Sequence, residues 1–172
     1  MLFSKEDWLI TNDGVMGGLS SSQACENNSV LTFSGYLSLE NDGGFASVRK
    51  RLEQSLAGII GFRLTLQGDG RSYQLRIRTD NRADGVAWRR TFKTNGGLQE
   101  MIILINEFEP VYRGRLVPGV APLNPSSIKQ LGFMLVDKTE GPFELVIHSI
   151  DQLPASGDSS LIRSTNNSRK HL

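Results

Sequence analysis

The sequence predicts an all-β domain, an antiparallel β-sandwich of the jelly-roll type. Three observations favour this class. Apolar and polar residues alternate along short segments, turn-forming residues separate these segments, and no long segment has the 3.6-residue period of an amphipathic helix. Because a period of two places one face of a strand on a core and the other in water, two packed sheets are expected.

The alternation defines eight candidate strands. They are residues 30–40, 45–52, 59–67, 72–79, 86–93, 100–106, 131–137 and 143–150. In the first candidate strand, the core face is formed by the odd-numbered residues from 31 to 39. In the third candidate strand, Ile60 shares the core face with Phe62, Leu64 and Leu66. The predicted core contains Phe33, Leu37, Phe62, Leu64, Leu75, Ile77, Ile103, Phe133, Leu135 and Leu145.

Turn signals divide the predicted strands. Glycine with Asn or Asp occurs at residues 41–44, 68–70, 84–85 and 95–97, and these residue types tolerate a positive φ angle. Residues 124–130 predict one helical turn, capped by Asn124 or Ser126. Three prolines in residues 116–125 predict an extended surface loop.

Length and charge limit the classes of function. The 172 residues carry 19 basic and 18 acidic side chains, a net charge of +1, so bulk charge does not favour nucleic acid as a partner. No segment has the roughly 20 apolar residues that span a bilayer, and direct membrane insertion is not expected. A single cysteine and a charged first ten residues predict a cytoplasmic protein. Residues 1–153 are predicted to form one domain, and residues 154–172 a disordered tail.

Residues suited to catalysis are scarce. The chain has two histidines, His148 in a predicted strand and His171 in the tail, and one cysteine, Cys25. His148 is expected to share a face with Val146 and Ile150, as a surface or structural residue. No metal-binding spacing of Cys, His or acidic residues occurs, although a lone structural Ca²⁺ near Asp42 stays an open alternative. The sequence therefore predicts no enzyme, no cofactor and no metal site.

Arginines mark the candidate binding surface. Arg76 and Arg78 share the non-core face of one predicted strand, and Arg49 and Arg51 share that of another. Trp88 is assigned to the same surface as an aromatic anchor. Such a surface suits carboxylates, phosphates or sugars. The alternative is a solvated face on which the arginines pair with Glu40, Glu53 or Glu144.

A glycine cluster follows the first aromatic segment, at Gly14, Gly17 and Gly18. The cluster lacks the residues of a phosphate-binding loop. We interpret it as a structural plug against the sandwich, with Asn12 and Asp13 forming local hydrogen bonds and Met16 as the apolar anchor.

Four blocks of sequence resemble the complex I intermediate-associated protein 30 family. The first spans residues 8–22 and contains Trp8, Asn12, Asp13, Met16, Gly17, Gly18 and Ser20; the second spans residues 33–49 and contains Gly43, Gly44 and Phe45. Residues 68–79 and 131–150 form the other two blocks. The resemblance implies a galactose-binding-like β-sandwich and a non-catalytic role, because mitochondrial members act as assembly factors for respiratory complex I.

These observations lead to two hypotheses of function. The first is a chaperone-like assembly module that binds a protein, such as a respiratory-complex subunit or an assembly intermediate, as the resemblance implies. The alternative is a carbohydrate-binding module in which Trp88 stacks on a sugar beside Arg76 or Asp84.

Overall fold

The computed structural model describes residues 8–12, 20–27, 30–81 and 85–155, which form two packed antiparallel sheets. The large sheet has the strand order β1 (Trp8–Asn12), β4 (Ala46–Arg51), β11 (Gln130–Leu135), β6 (Ser72–Arg78), β7 (Ala87–Lys93), β9 (Glu109–Tyr112) and β10 (Arg115–Leu116). The small sheet has the order β2 (Ser21–Asn27), β3 (Val30–Leu37), β12 (Gly141–Pro154), β5 (Ile59–Gln67) and β8 (Leu98–Leu104). This arrangement confirms the predicted fold class.

All eight predicted strands are present. The structure adds four strands that the pattern did not predict, β1, β2, β9 and β10. The predicted helical turn is a short 3₁₀ helix, Pro125–Ser127, and Asn124 caps it by accepting a hydrogen bond from the Ser126 backbone N–H at 3.0 Å. Between Leu116 and this turn the chain has no strand, as the prolines predict.

The core lies between the sheets. All ten predicted core residues are at most 1% exposed. Aromatic rings contact one another edge to face, with Phe33 and Phe143 at 5.1 Å and Phe92 and Phe133 at 6.3 Å between centroids. Edge-to-face contacts are a favourable geometry for buried rings. The inward face of each sheet is therefore occupied by packing residues and is not available to a partner.

Three predictions of which side chains face the core are wrong, and each concerns a residue at a strand end or at a register shift. Leu39 lies beyond the end of β3 and is exposed. The register between β5 and β12 shifts near Pro154, which turns Ile60 outward. A second shift, at His148, returns Ile150 to the core, so these two residues do not share a face. His148 itself is exposed.

Part of the predicted N-terminal plug lies outside the described residues, namely Asp13, Met16, Gly17 and Gly18, and so does the side chain of Asn12. The plug therefore stays a prediction. Trp8 packs against the core. Ser20 bonds to Ser38, accepting from its backbone N–H at 2.9 Å.

The turn after β3 contains the other residues of the family motif. The Gly43 N–H donates to the Glu40 carbonyl at 3.0 Å, which closes a 3₁₀ turn. Gly44 is buried with a φ angle of 132°, a conformation that glycine adopts readily. Phe45 follows it and leads into β4.

The predicted tail lies almost wholly outside the described residues. Pro154 ends β12, and the Ala155 N–H donates to the Gly58 carbonyl at 2.8 Å. The disorder of the tail stays a prediction. In the described ranges, no helix has the length and hydropathy needed to cross a membrane.

Candidate functional site

The outward face of the large sheet places the predicted arginines in one row. Gly132 on β11 lies opposite Arg49 on β4 at one side and opposite Arg76 on β6 at the other. Arg76 in turn lies opposite Arg89 on β7. Arg78 lies on the same face, opposite Gln130. Strand pairing thus brings Arg49 close to Arg76 and Arg78, which lie far from it in sequence. It also adds Arg89, which sequence analysis did not assign to the site.

Positive charge dominates this outward face, which we call the arginine face. At the outward-facing strand positions that the structure describes, it has one carboxylate, Glu109, and six cationic side chains, Arg49, Arg51, Arg76, Arg78, Arg89 and Lys93. The whole chain has a net charge of only +1. The fold therefore concentrates basic residues on one surface, which total charge could not reveal.

Arg49 and Arg76 have no acidic partner among the residues that the structure describes. The Nε atom of Arg49 is buried without a hydrogen-bond acceptor. Arg76 donates to the neutral Gln74 Oε1 at 3.0 Å. The alternative in which these two arginines pair with Glu40, Glu53 or Glu144 is not seen, since the ion pairs found in the described part of the chain involve other arginines.

The environment of the two side chains disfavours their positive charge. Burial lowers the pKa of Arg49, and the charge of Arg51 lowers it further. Burial lowers the pKa of Arg76 to about 10, and repulsion from Arg78 and Arg89 acts in the same direction. Both remain charged near pH 7. An anion above the row would compensate these charges.

Two neighbouring arginines of the face, Arg78 and Arg89, bond to other groups of the chain. Arg89 pairs with Glu109 at 3.3 Å, and Arg78 donates to the Gly85 carbonyl at 3.2 Å. The Arg89 pair is exposed and so contributes little to stability, at most about 1 kcal/mol.

Arg71 has a structural role, and its hydrogen bonding differs from that of Arg49 and Arg76. Its Nε and Nη2 atoms donate to the two oxygens of Asp137 at 2.9 and 2.8 Å. Its Nη1 donates to the carbonyls of Gly141 and Pro142, and Nη2 also donates to that of Thr139. All five N–H donors are thus used, and the pair joins the start of β6 to the loop before β12.

Trp88 is not on the arginine face. It lies opposite Ile77 on the inward side of β7, is 7% exposed and belongs to the core. Its assignment as an aromatic anchor is therefore wrong. Trp88 has the same alternation phase as Phe92, and this signal in the sequence identifies the core side. Among the strand positions that the structure describes, the arginine face has no aromatic side chain.

The outward face of the small sheet has the opposite charge. Its described charged side chains are Arg63, Glu100, Glu144 and Asp151. Arg63 pairs with Glu100 at 3.5 Å and also lies opposite Asp151. One face of the sandwich is therefore basic and the other is acidic.

The two residues with catalytic potential in the described chain are separated. Cys25 on β2 and His148 on β12 have β3 between them, which places their strands about 10 Å apart. No group of three or more His, Cys, Asp or Glu side chains is arranged to hold a metal ion in the described ranges. Asp42, the residue considered for calcium, has no described side chain.

The two packed antiparallel sheets place the chain in the class of β-sandwich proteins. The structure is similar to the family 11 carbohydrate-binding module of the cellulase Lic26A-Cel5E of Clostridium thermocellum, with a TM-score of 0.66 and 15% identity over 88% of this chain and 90% of that one. The structure of a Clostridium thermocellum family 11 module in complex with a β-1,3-1,4-mixed-linked tetrasaccharide gives a TM-score of 0.62 and 14% identity, over 87% and 89%. The fold is thus an antiparallel β-sandwich like that of these modules.

The family follows from the sequence. The family model described as "Complex I intermediate-associated protein 30 (CIA30)" matches residues 3–147. The chain therefore belongs to the CIA30 family, as the four motif blocks predict.

Curated relatives agree with this assignment. The chain is 27% identical to the Mus musculus protein "Complex I intermediate-associated protein 30, mitochondrial", over 85% of this chain and 52% of the mouse protein. It thus spans about half the length of that relative. An uncharacterised protein of Schizosaccharomyces pombe is also 27% identical, over 87% of this chain and 79% of that protein.

The mouse relative corrects the predicted location. That protein is named as mitochondrial, so the prediction of a plain cytoplasmic protein is wrong. The prediction depended on low cysteine content, which is typical of any compartment that keeps thiols reduced and does not distinguish between them.

Proposed function

We propose that this chain is a non-catalytic, chaperone-like assembly module that binds a protein, a subunit or an assembly intermediate of respiratory complex I, through the arginine face. Membership of the CIA30 family supports an assembly-related role. The arginine face supports the choice of surface, because a concentration of basic residues with uncompensated members suits an acidic partner.

A carbohydrate-binding module is the second candidate. The likeness to carbohydrate-binding modules of Clostridium thermocellum favours it at the level of the fold. Burial of Trp88 weighs against it, because sugar sites commonly use an aromatic platform. The exposed Tyr36 and Tyr112 lie on the small sheet and on a hairpin at the edge of the large sheet, away from the row of Arg49 and Arg76.

Affinity capture tests the proposal. The tagged chain is expressed in its native cells, and proteins that co-purify are identified by mass spectrometry. We expect a complex I subunit or assembly protein with the unmodified chain, and at least tenfold less of it with the Arg76→Ser/Arg78→Ser variant, a loss of about 1.4 kcal/mol. The Arg115→Gln/Lys138→Asn variant removes two exposed basic residues elsewhere and should capture normally.

Two outcomes would contradict the proposal. Equal capture by both variants would move the binding surface off the arginine face. Selective binding to oligosaccharides on a glycan array, with no specific protein captured, would favour the carbohydrate-binding module instead.

A further inference from the structure

We infer that Arg49 and Arg76 together bind one carboxylate of an acidic peptide segment, seated above Gly132. This inference rests on the proposed function, because it names the chemical group that the partner presents to the arginine face.

The geometry lets two arginines converge on one group. β4 and β6 flank β11, so the backbones of Arg49 and Arg76 lie about 10 Å apart across the row. Between them stands Gly132, the residue without a side chain. A Cβ atom added there would lie 2.2 Å from the Val48 carbonyl oxygen, so β4 itself excludes a larger residue. Two long side chains therefore face each other with none on β11 in the same row.

Within the described ranges, no acidic side chain pairs with Arg49 or Arg76. Among these same residues the buried Arg49 Nε has no acceptor, and Arg76 bonds to a neutral amide oxygen. Buried donors are usually paired in folded proteins, and a carboxylate oxygen bound above the row would supply the acceptor for Arg49 Nε. The contrast with Arg71, whose donors are all satisfied within the chain, shows that this fold can pair an arginine fully where its role is structural.

The neighbours of the row favour a carboxylate on a peptide. Two planar guanidinium groups match the two oxygens of a carboxylate. Leu9, 41% exposed, lies opposite Arg49 in the same row, and the partly buried Met134 lies two residues along β11 on the same face. These apolar surfaces suit the aliphatic parts of an acidic peptide, which a free inorganic anion lacks.

Titration calorimetry with defined probes tests the inference. The full chain is titrated at low ionic strength, where charge interactions are least screened, with the acetylated and amidated peptide Leu-Glu-Glu-Leu, its Leu-Gln-Gln-Leu counterpart and inorganic phosphate. We expect the glutamate peptide to bind, and both other probes to bind at least tenfold more weakly. Binding of the glutamate peptide should also shift the Nε–Hε NMR signals of Arg49 and Arg76.

Two variants of equal charge change make the test specific. Arg49→Gln/Arg76→Gln should bind the glutamate peptide at least tenfold more weakly, whereas Arg115→Gln/Lys138→Asn should bind within twofold of the unmodified chain. Equal binding by both variants, or tighter binding of phosphate than of the peptide, would overturn the inference.

The inference and the proposed function fail in different ways. If the native partner is captured equally well by Arg49→Gln/Arg76→Gln and by the unmodified chain, the carboxylate site is wrong and protein binding stands. If the glutamate peptide binds as expected but no protein is captured from cells, the site stands and the proposed function is wrong.

Discussion

At the scale of single residues, hydrogen-bond satisfaction separates arginines that hold the fold together from those available to a partner. Arg71 uses all five donors within the chain, and its pair with Asp137 is largely buried, with side chains 12% and 16% exposed. Arg76 lies five residues further along and bonds to a neutral amide. The same residue type therefore has opposite consequences for stability at the two positions.

We expect Arg71→Gln to destabilise the protein and Arg76→Gln to leave it unchanged or more stable. Removing one partner of a buried ion pair costs about 3 kcal/mol, which lowers the Tm of a chain of this size by roughly 6–12 °C. Replacing Arg76 removes a partly buried charge that is repelled by Arg78 and Arg89 and has no acidic partner among the described residues. Thermal unfolding followed by circular dichroism measures both. A comparable loss of Tm in the two variants would contradict this division of roles.

The Arg71–Asp137 pair also predicts a dependence on pH. Burial by itself would raise the pKa of Asp137, but hydrogen bonds from Arg71 and the Thr139 backbone outweigh it and hold the pKa below 3.8, the ordinary value. A carboxyl with a lowered pKa contributes stability above its unfolded pKa and loses it as the pH falls through the folded one.

The difference in Tm between the unmodified chain and Arg71→Gln should therefore be full at pH 7 and shrink as the pH falls below 3.8. Thermal scans at a series of pH values measure this difference. If it stayed constant down to pH 2, the pair would not be the source of the stability.

At the scale of elements, β11 controls the arginine face, because Gly132 lets β4 come close. An added Cβ would lie 2.2 Å from the Val48 oxygen and 2.8 Å from the Arg49 Cα. These contacts involve backbone, so a side-chain rotation cannot relieve them. The two strands would have to separate.

We expect Gly132→Ala to cost about 1–3 kcal/mol, the usual range for overpacking, and to weaken the β4–β11 pairing. Chemical denaturation measures the free energy of unfolding. Gly97→Ala is the matched control, because the nearest atom to its added Cβ is Asn95 Oδ1 at an ordinary 3.5 Å. Similar losses in both variants would show that the close approach of β4 is not the cause.

The sequence pattern predicts elements where one face is apolar, and it fails where strands are edges or irregular. β2 (Ser21–Asn27) is an edge strand of small and polar residues, and the four-residue β9 contains Pro110, so neither has an apolar alternation. The shift at His148 reverses the phase of the residues after it. Such a shift depends on the neighbouring strand and leaves no local signal.

The candidate site could be predicted only in part for a related reason. Alternation places Arg49, Arg76 and Arg78 on outward faces, but the order of strands decides which outward faces adjoin. The row across Gly132 depends on β11 lying between β4 and β6, strands that are not consecutive in sequence. The side of Trp88 is different, because the phase that it shares with Phe92 is visible in the sequence and indicates the core.

At the scale of the whole molecule, one core supports both faces. Phe62 is fully buried on β5, contacts Phe108 edge to face at 6.5 Å and lies between the two sheets. We expect Phe62→Ala to lower the free energy of unfolding by roughly 3–5 kcal/mol, as measured with urea. Tyr36→Ala, at a position 47% exposed, should change it far less. Equal effects would argue against the packed sandwich.

In the proposed function, a protein partner covers the arginine face and not the acidic outward face of the small sheet. Site-specific photo-crosslinking in cells tests it most directly, with a photoreactive amino acid at Thr91 on the arginine face or at Gln67 on the small sheet, both exposed. The account predicts that a complex I subunit or assembly protein cross-links from position 91 and not from position 67. Cross-linking from position 67 alone would contradict it.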